Sequence, residues 1–190
     1  MDIDSPREIT PLWHFNPSCE VKIENNSIVT NNAGKGNLRI TPVSKIPWKV
    51  NLVKGQEKPH IQGWYSEYYN KKKTNYCALY TSKIQKSSTL AWVLLPVMDK
   101  IPNVKTEVLP SPEGVFRMRI IVPDISPIEI AVRISGEGGV SLSDGYVLDG
   151  SCAIIQKGKT PLVAEGMIMD KTGKIVGKSF MDILHESIVR

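Results

Sequence analysis

The segment GVFRMRIIVP, residues 114–123, decides the fold class of this chain. Its apolar and basic side chains alternate, with Phe116, Met118 and Ile120 on one side and Arg117 and Arg119 on the other. A period of two residues is typical of a β-strand, because successive side chains of a strand point to opposite faces. The segment therefore predicts a strand with one apolar and one basic face.

Segments of the same kind recur along the chain. They are CEVKIENNSIVTN (19–31), NLRITPV (37–43), PWKVNLVKG (47–55), YCALYTSKI (76–84), TLAWVLLPV (89–97), IEIAVRIS (128–135) and GYVLDGSCAIIQKG (145–158). Asn25-Asn26 indicates a turn inside the first of them. A further segment, LVAEGMIMDKTGKIVGKS (162–179), predicts a hairpin that turns at Lys171-Thr172-Gly173.

Roughly a dozen strand-sized segments with no convincing amphipathic helix favour an antiparallel β-sandwich. Only the final segment, SFMDILHESIVR (179–190), fits a helix, and it fits a strand about as well. The length of 190 residues suits one domain. We predict an all-β fold, with a single antiparallel sandwich over residues 1–190.

Composition and charge indicate a globular protein without a membrane-spanning helix. A hydrophobic fraction of 41% and a charged fraction of 23% are ordinary for a globular chain with a buried core. No apolar run reaches the roughly 18 residues of a membrane span, and the polar start MDIDSPREITPLW (1–13) has no signal-peptide pattern. The net charge of +5 favours anionic partners. The sequence leaves the cellular location open.

The residues that usually carry chemistry form no recognisable set. Cys19, Cys77 and Cys152 have no metal-ligand or disulfide spacing, and each is expected to be a small buried apolar residue. Of the histidines, His14 is expected beneath the sheet, His60 in a loop and His185 in the C-terminal segment. No nucleophile elbow or phosphate-binding loop is present. We therefore predict no catalytic residues, no metal and no cofactor in this chain.

The stretch GWYSEYYNKKK, residues 63–73, combines aromatic and basic side chains. Such a combination suits an anionic sugar, a nucleic acid or another protein. Nucleic acid is disfavoured, because the strand motifs of RNA-binding modules are missing and the other basic residues are scattered. The candidate substrate-binding residues are Trp64, Tyr65, Tyr69, Lys71 and Lys72.

The order of several motifs carries a resemblance to a known family. A WHFNP start (13–17) is followed by NLRITP (37–42), GWYSEYY (63–69), and YCALYTSKI and STLAWVLLPV (76–84 and 88–97). This order resembles the C-terminal β-sandwich region of the heparinase II/III-like polysaccharide lyases. The closing portion, GYVLDGSCAIIQKGKTPLVAEGMIMDKTGKIVGKS (145–179), is similar to the last strands of that region.

The resemblance implies a function for the parent protein rather than for this chain alone. Members of the family join an N-terminal α/α toroid to a β-sandwich and cleave uronic-acid-containing polysaccharides by β-elimination. Their catalytic Tyr and His residues come mostly from the toroid and the first part of the sandwich, which have no counterpart here. The resemblance therefore implies a non-catalytic module that supports an α/α-toroid partner domain, in a parent that is periplasmic or secreted.

Three interpretations of residues 63–73 remain open at this point. In the first, strand alternation buries Trp64, Ser66 and Tyr68 on one face, with Tyr65 on the other. In the second, the stretch contacts the toroid domain, and in the third it contacts the anionic polysaccharide. An independent carbohydrate-binding module is the alternative function.

Overall fold

The computed structural model describes residues 1, 3–43, 45–98 and 101–179. The chain divides into two compact units, one over Met1–Ile101 and one that begins at Pro102. The single domain over residues 1–190 stays a prediction. The segment predicted as helix or strand lies outside the described residues from position 180 onward.

Two antiparallel sheets form the first unit. Its strands are β1 (Arg7–Ile9), β2 (Leu12–His14), β3 (Val21–Glu24), β4 (Ser27–Thr30), β5 (Asn37–Pro42), β6 (Lys49–Lys54), β7 (Trp64–Tyr68), β8 (Lys71–Thr74), β9 (Tyr76–Ile84) and β10 (Trp92–Val97). In one sheet β9 pairs with β1, β2 and β6, and the other sheet has the order β10-β5-β4-β3. Strands β7 and β8 form a separate hairpin.

The predicted turn at Asn25-Asn26 is confirmed. Glu24 pairs with Ser27 across β3 and β4, and the two asparagines between them have φ angles of 46° and 63°. Positive φ at both central residues is the geometry of a two-residue hairpin turn, and asparagine adopts it more readily than most residues. The sequence signal and the backbone agree here.

Apolar side chains from both sheets meet in the core of the first unit. The buried set is Phe15, Val21, Ile28, Ile40, Trp48, Ala78 and Tyr80. Tyr80 is fully buried on β9, and its hydroxyl donates to the carbonyl oxygens of Asn26, at 3.0 Å, and Ile40, at 3.4 Å. Desolvation raises the pKa of the Tyr80 phenol, so this hydroxyl stays protonated and remains a donor.

Aromatic rings account for much of this core. The Trp48 ring centroid lies 5.5 Å from that of Trp92 and 6.1 Å from that of Tyr80, and Trp13 lies 6.1 Å from Trp92. The Trp48–Tyr80 pair meets edge to face, at an interplanar angle of 88°. Pairs of this kind contribute about 0.5–1.5 kcal/mol beyond the area that they bury. The cluster therefore fastens β2 and β9 of one sheet to β10 of the other.

The second unit is also built from two sheets. Its strands are β11 (Lys105–Val108), β12 (Val115–Ile121), β13 (Ile128–Arg133), β14 (Val140–Ser141), β15 (Val147–Gly150), β16 (Cys152–Gln156), β17 (Leu162–Val163), β18 (Gly166–Met169) and β19 (Lys178–Ser179), with a 3₁₀ turn at Ser143–Gly145. The sheet orders are β11-β12-β13-β16-β17-β19 and β14-β15-β18. All these pairings are antiparallel except that of β17 with β19.

The arginine face of β12 is turned toward the core of the second unit. Val115 belongs to that core, and strand alternation places Arg117 and Arg119 on the same face as Val115. Across the ladder, Arg117 is opposite the buried core residue Ala131, and Arg119 is opposite Glu129. The core face is therefore apolar at one end of β12 and charged at the other.

The hairpin predicted around residues 171–173 is confirmed at its turn. The backbone N–H of Asp170 donates to the carbonyl oxygen of Lys174, and the Asp170 carboxylate accepts bonds from the Thr172 and Lys174 backbone N–H groups. The run after the turn pairs with β18 through an isolated bridge between Met169 and Ile175. The alternation in the sequence overstated the length of this second strand.

The all-β prediction is confirmed: both units consist of antiparallel sheets packed around a core, as in a β-sandwich. Nineteen strands lie in the described residues, more than the roughly dozen predicted, because many are only two to four residues long. Among the described residues there is no helix with the length and apolar character needed to cross a membrane.

The Tyr80 hydroxyl supplies a first test of the packing. We expect Tyr80→Phe to lower the free energy of unfolding by about 1–2 kcal/mol, because it removes the buried hydroxyl that donates to the Asn26 and Ile40 carbonyl oxygens. Urea unfolding followed by tryptophan fluorescence measures this change. The matched control is Tyr69→Phe at an exposed position, for which we expect a change within about 0.5 kcal/mol. Equal effects of the two substitutions would contradict the role assigned to Tyr80.

An ion-pair cluster on β3 and β5 makes the stability depend on pH. The Glu24 carboxylate lies 2.7 Å from Lys22 Nζ and 2.7 Å from Nη2 of the buried Arg39. The hydrogen bond from Lys22 lowers the pKa of the Glu24 carboxyl, partial desolvation opposes this, and the bond from Arg39 lowers the pKa further. A carboxyl with a lowered pKa stabilises the fold above its unfolded pKa, and this stability is lost as pH falls through the folded pKa.

We therefore expect Glu24→Gln to be most destabilising near neutral pH. The difference in unfolding free energy from the wild type is expected to shrink as the pH falls through the lowered pKa of the folded Glu24 carboxyl, because the wild-type carboxyl then also becomes neutral. Urea titrations at several pH values measure this difference, with Glu8→Gln at an exposed position of β1 as the control. A difference for Glu24→Gln that stays constant between neutral and acid pH would refute the assignment.

Candidate functional site

The candidate residues lie on the β7–β8 hairpin, whose base is fixed by glycine. The carbonyl oxygen of Gly63 accepts bonds from the Gly55 and Asn75 backbone N–H groups, both at 2.9 Å. Gly63 has a φ of 74°, and a Cβ at this position would stand 2.8 Å from the Asn75 carbonyl oxygen and the Gly55 nitrogen. Only glycine fits this crossing of three chain segments without displacing backbone.

Trp64 anchors the first strand of the hairpin. Its indole Nε1 donates to the Gln56 carbonyl oxygen at 3.1 Å, and Lys72 Nζ lies 4.0 Å from the centre of its ring. Lys72 also lies 3.8 Å from the Glu57 carboxylate. A cation over an indole face contributes about 0.5–1 kcal/mol at an exposed site.

This arrangement changes the role expected of two candidate residues. Lys72 covers one face of the Trp64 ring, and the ring edge lies near Gly55. Trp64 is half-buried, so we infer that it positions the hairpin rather than offering an open surface for stacking. Lys72 is engaged by Trp64 and Glu57 and is correspondingly less free to meet an anion.

The packing interpretation of residues 64–68 is wrong for Ser66 and Tyr68. Both are exposed, and 65% of the Tyr68 residue surface is accessible. The physical reason is that both faces of the hairpin are open after Trp64, since all residues of β7 after Trp64 and all residues of β8 are exposed. A β-bulge also lies between Tyr65 and Tyr68, since Tyr65 pairs with Lys73 but Tyr68 pairs with Lys71. An extra residue in one strand interrupts the alternation and aims the following side chain differently.

Exposed tyrosines and lysines lie opposite each other on both sides of this bulge. Tyr65 and Lys73 are directly opposite each other, as are Tyr68 and Lys71, and opposite residues of an antiparallel pair share a face. Tyr69, at the turn, is 92% exposed. We call Tyr65, Tyr68, Tyr69, Lys71 and Lys73 the tyrosine–lysine face.

The two lysines of this face differ in whether a carboxylate already pairs with their ammonium group. Lys73 Nζ lies 3.2 Å from the Glu67 carboxylate, which partly neutralises it. Lys71 is exposed, and among the described residues no carboxylate lies within ion-pair distance of its ammonium group. The face therefore offers accessible aromatic rings beside one uncommitted cation.

The structure brings the candidate residues of the sequence into one hairpin, but in two groups. Trp64 and Lys72 contact each other at the base, whereas Tyr65, Tyr69 and Lys71 belong to the tyrosine–lysine face. Sequence reasoning missed Tyr68 and Lys73 as members of that face. A strict period of two hides Tyr68, and the signal that could have revealed it is Asn70, whose φ of 57° marks the turn.

The histidines and cysteines form no second site in the described part of the chain. His14 is exposed on β2 rather than beneath the sheet, and its Nε2 lies 3.7 Å from Cys77 Sγ. Cys77 is fully buried as predicted, and burial raises the pKa of its thiol, whereas Cys19 and Cys152 are only half-buried. Within the described ranges, no group of three His, Cys, Asp or Glu side chains could hold a metal ion.

No family model, curated protein or solved structure matches this chain. The resemblance to the heparinase II/III-like lyases stays a prediction. The geometry of the hairpin offers aromatic and cationic contacts.

Gly63 provides a test of how the hairpin is held. We expect Gly63→Ala to destabilise the first unit by about 2–4 kcal/mol, because left-handed backbone strain adds to a clash with backbone atoms. The control is Gly34→Ala, which has a φ of 64° and no heavy atom within 4 Å of the added Cβ. For that control only the strain remains, about 1–2 kcal/mol. Urea unfolding measures the loss of unfolding free energy in both variants. Equal losses would show that the close approach of three backbone segments at Gly63 adds nothing to the strain.

Proposed function

We propose that this chain is a non-catalytic β-sandwich module of a polysaccharide lyase and that it binds an anionic polysaccharide through the tyrosine–lysine face. The observation that carries the proposal is the exposure of Tyr65, Tyr68 and Tyr69 beside the uncommitted Lys71. Tyrosine rings pack on the apolar faces of sugars, and a lysine attracts carboxylate or sulfate groups. Both contacts repeat along a polymer of acidic sugars.

The hairpin also has the stiffness that a binding surface needs. Trp64 and Gly63 fix its base, and Ser66 Oγ donates to the carbonyl oxygens of Tyr68 and Lys71, both at 3.0 Å, near its tip. A surface that is ordered before binding loses less conformational entropy when the ligand arrives. These contacts support the assignment of the face as a binding surface.

The proposed reaction of the parent requires groups that lie elsewhere. β-Elimination needs neutralisation of the uronate carboxylate, a base for the C5 proton and an acid for the departing oxygen. The tyrosine–lysine face supplies cations and phenols for contact with the polymer. In the proposal, an α/α-toroid domain of the parent chain supplies this set, and the present module supports it and holds the polymer.

Calorimetric titration of the chain with heparin, alginate and a neutral glycan tests the binding. We expect the two acidic polymers to bind and the neutral glycan not to, with affinity that falls as salt is added. Lys71→Ala and Tyr69→Ala are each expected to weaken binding about tenfold, which corresponds to about 1.4 kcal/mol. Lys35→Ala, at another exposed lysine of the first unit, is the matched control.

Three outcomes would contradict the proposal. Absence of binding at millimolar sugar, or equal loss in the Lys35→Ala control, would remove the tyrosine–lysine face as the binding surface. Formation of unsaturated product by this chain alone, followed by its ultraviolet absorbance, would refute the non-catalytic assignment.

A further inference from the structure

The second unit has a small cleft at the charged end of β12, separate from the β7–β8 hairpin. It has a volume of about 190 Å³ and is lined by Arg119, Pro127, Glu129, Ser143, Asp144, Ile155 and Lys157. Arg119, Glu129 and Ile155 come from the large sheet, where Glu129 is the ladder partner of both others. Ser143 and Asp144 come from the 3₁₀ turn between β14 and β15. The cleft therefore has walls from two separate parts of the unit.

Charges of both signs converge on this small space. Arg119 and Lys157 supply cations, and the lone ion pair of Arg119 among the described residues is a loose one to Glu107 at 3.6 Å. No carboxylate of the described residues lies within ion-pair distance of the exposed Lys157. An anionic group that enters the cleft would thus meet Lys157, which has no ion-pair partner among the described residues, and Arg119, which Glu107 neutralises only in part.

The floor of the cleft holds a buried carboxylate with an unused acceptor. Glu129 is 4% exposed, and its Oε1 accepts bonds from Arg117 Nε at 3.1 Å and Nη2 at 2.5 Å. Its Oε2 is buried and has no hydrogen-bond partner. A buried acceptor without a donor costs free energy, of the order of 1–3 kcal/mol, so buried polar groups are nearly always partnered.

The two features together define the chemistry of a ligand. The unpaired Oε2 of Glu129 would accept a hydrogen bond from a ligand donor. Arg119 and Lys157 would attract an anionic group of the ligand. A simple carboxylic acid lacks the donor, and a neutral sugar lacks the anion. The cleft is smaller than the pockets of about 300 Å³ and above that hold drug-sized molecules, so it suits a single ring.

We propose that this cleft binds one hexuronate unit, with the sugar carboxylate on Arg119 and Lys157 and a sugar hydroxyl donated to the Glu129 carboxylate. Asp144, exposed at the opposite wall, accepts a further hydroxyl. The inference rests on the proposed function, since a hexuronate is the building block of the polymer assigned to the hairpin. It adds a second contact site, on the second unit of the chain.

Titration of the ¹⁵N-labelled chain, followed by amide chemical shifts, tests this site with glucuronate as the probe. We expect glucuronate to shift amides around residues 143–145 and 155–157, and glucose, acetate and serine to bind at least about tenfold more weakly. Lys157→Ala is expected to weaken glucuronate binding about tenfold, whereas Lys159→Ala, which removes an exposed lysine outside the cleft, leaves it unchanged.

Glu129→Gln supplies a second variant of nearly the same size. We expect it to weaken glucuronate binding while the amide spectrum of the rest of the chain stays folded. Equal affinity for glucuronate and acetate, tighter binding of serine, or an equal effect of Lys157→Ala and Lys159→Ala would each overturn the inference.

Variants at the two sites separate this inference from the proposed function. Tyr69→Ala is expected to weaken polymer binding and to leave the shifts caused by glucuronate unchanged. Polymer binding without any amide shift caused by glucuronate at the cleft would refute the hexuronate site and leave the proposed function standing. Glucuronate binding at the cleft without polymer binding at the hairpin would refute the tyrosine–lysine face as the polymer-binding surface and leave the hexuronate site standing.

Discussion

Tyr80 joins the two sheets of the first unit, and much of the unit depends on that contact. It lies on β9, the strand with which β1, β2 and β6 all pair, and its hydroxyl donates to carbonyl oxygens of the opposite sheet. A buried hydroxyl is tolerated only with partners, so its bonds fix the separation and register of the sheets as well as filling space. The tryptophan cluster around it then supplies the apolar area.

Charge on an inward face is the corresponding constraint in the second unit. Arg117 and Glu129 are directed toward the side of the sheet that carries the core, and they form a buried pair at 2.5 Å. Burial of a charged pair costs desolvation that the pair itself only partly offsets, so such a pair is weak evidence for stability. The position of this pair beside a charged cleft accords with a binding role at this end of the sheet.

In the β7–β8 hairpin the base is held rigidly and the remaining residues are exposed. Its base is held by Gly63 and Trp64, while the rest of the hairpin presents exposed tyrosines. Large exposed apolar surface is unfavourable unless a ligand covers it, and three tyrosines on one short hairpin form such a surface. The same lysines that suit an anionic polymer keep this surface soluble in its absence.

Alternation along the chain was enough to determine the fold class and the turn at Asn25-Asn26, because period and turn chemistry are local properties. The tertiary structure alone decided that Tyr68 shares a face with Tyr65, since a β-bulge depends on the partner strand. It also decided that Lys72 covers Trp64, and that Arg119, Glu129 and Lys157 share a cleft. Those contacts join residues far apart in sequence, and the pairing of strands, rather than any local preference, brings them together.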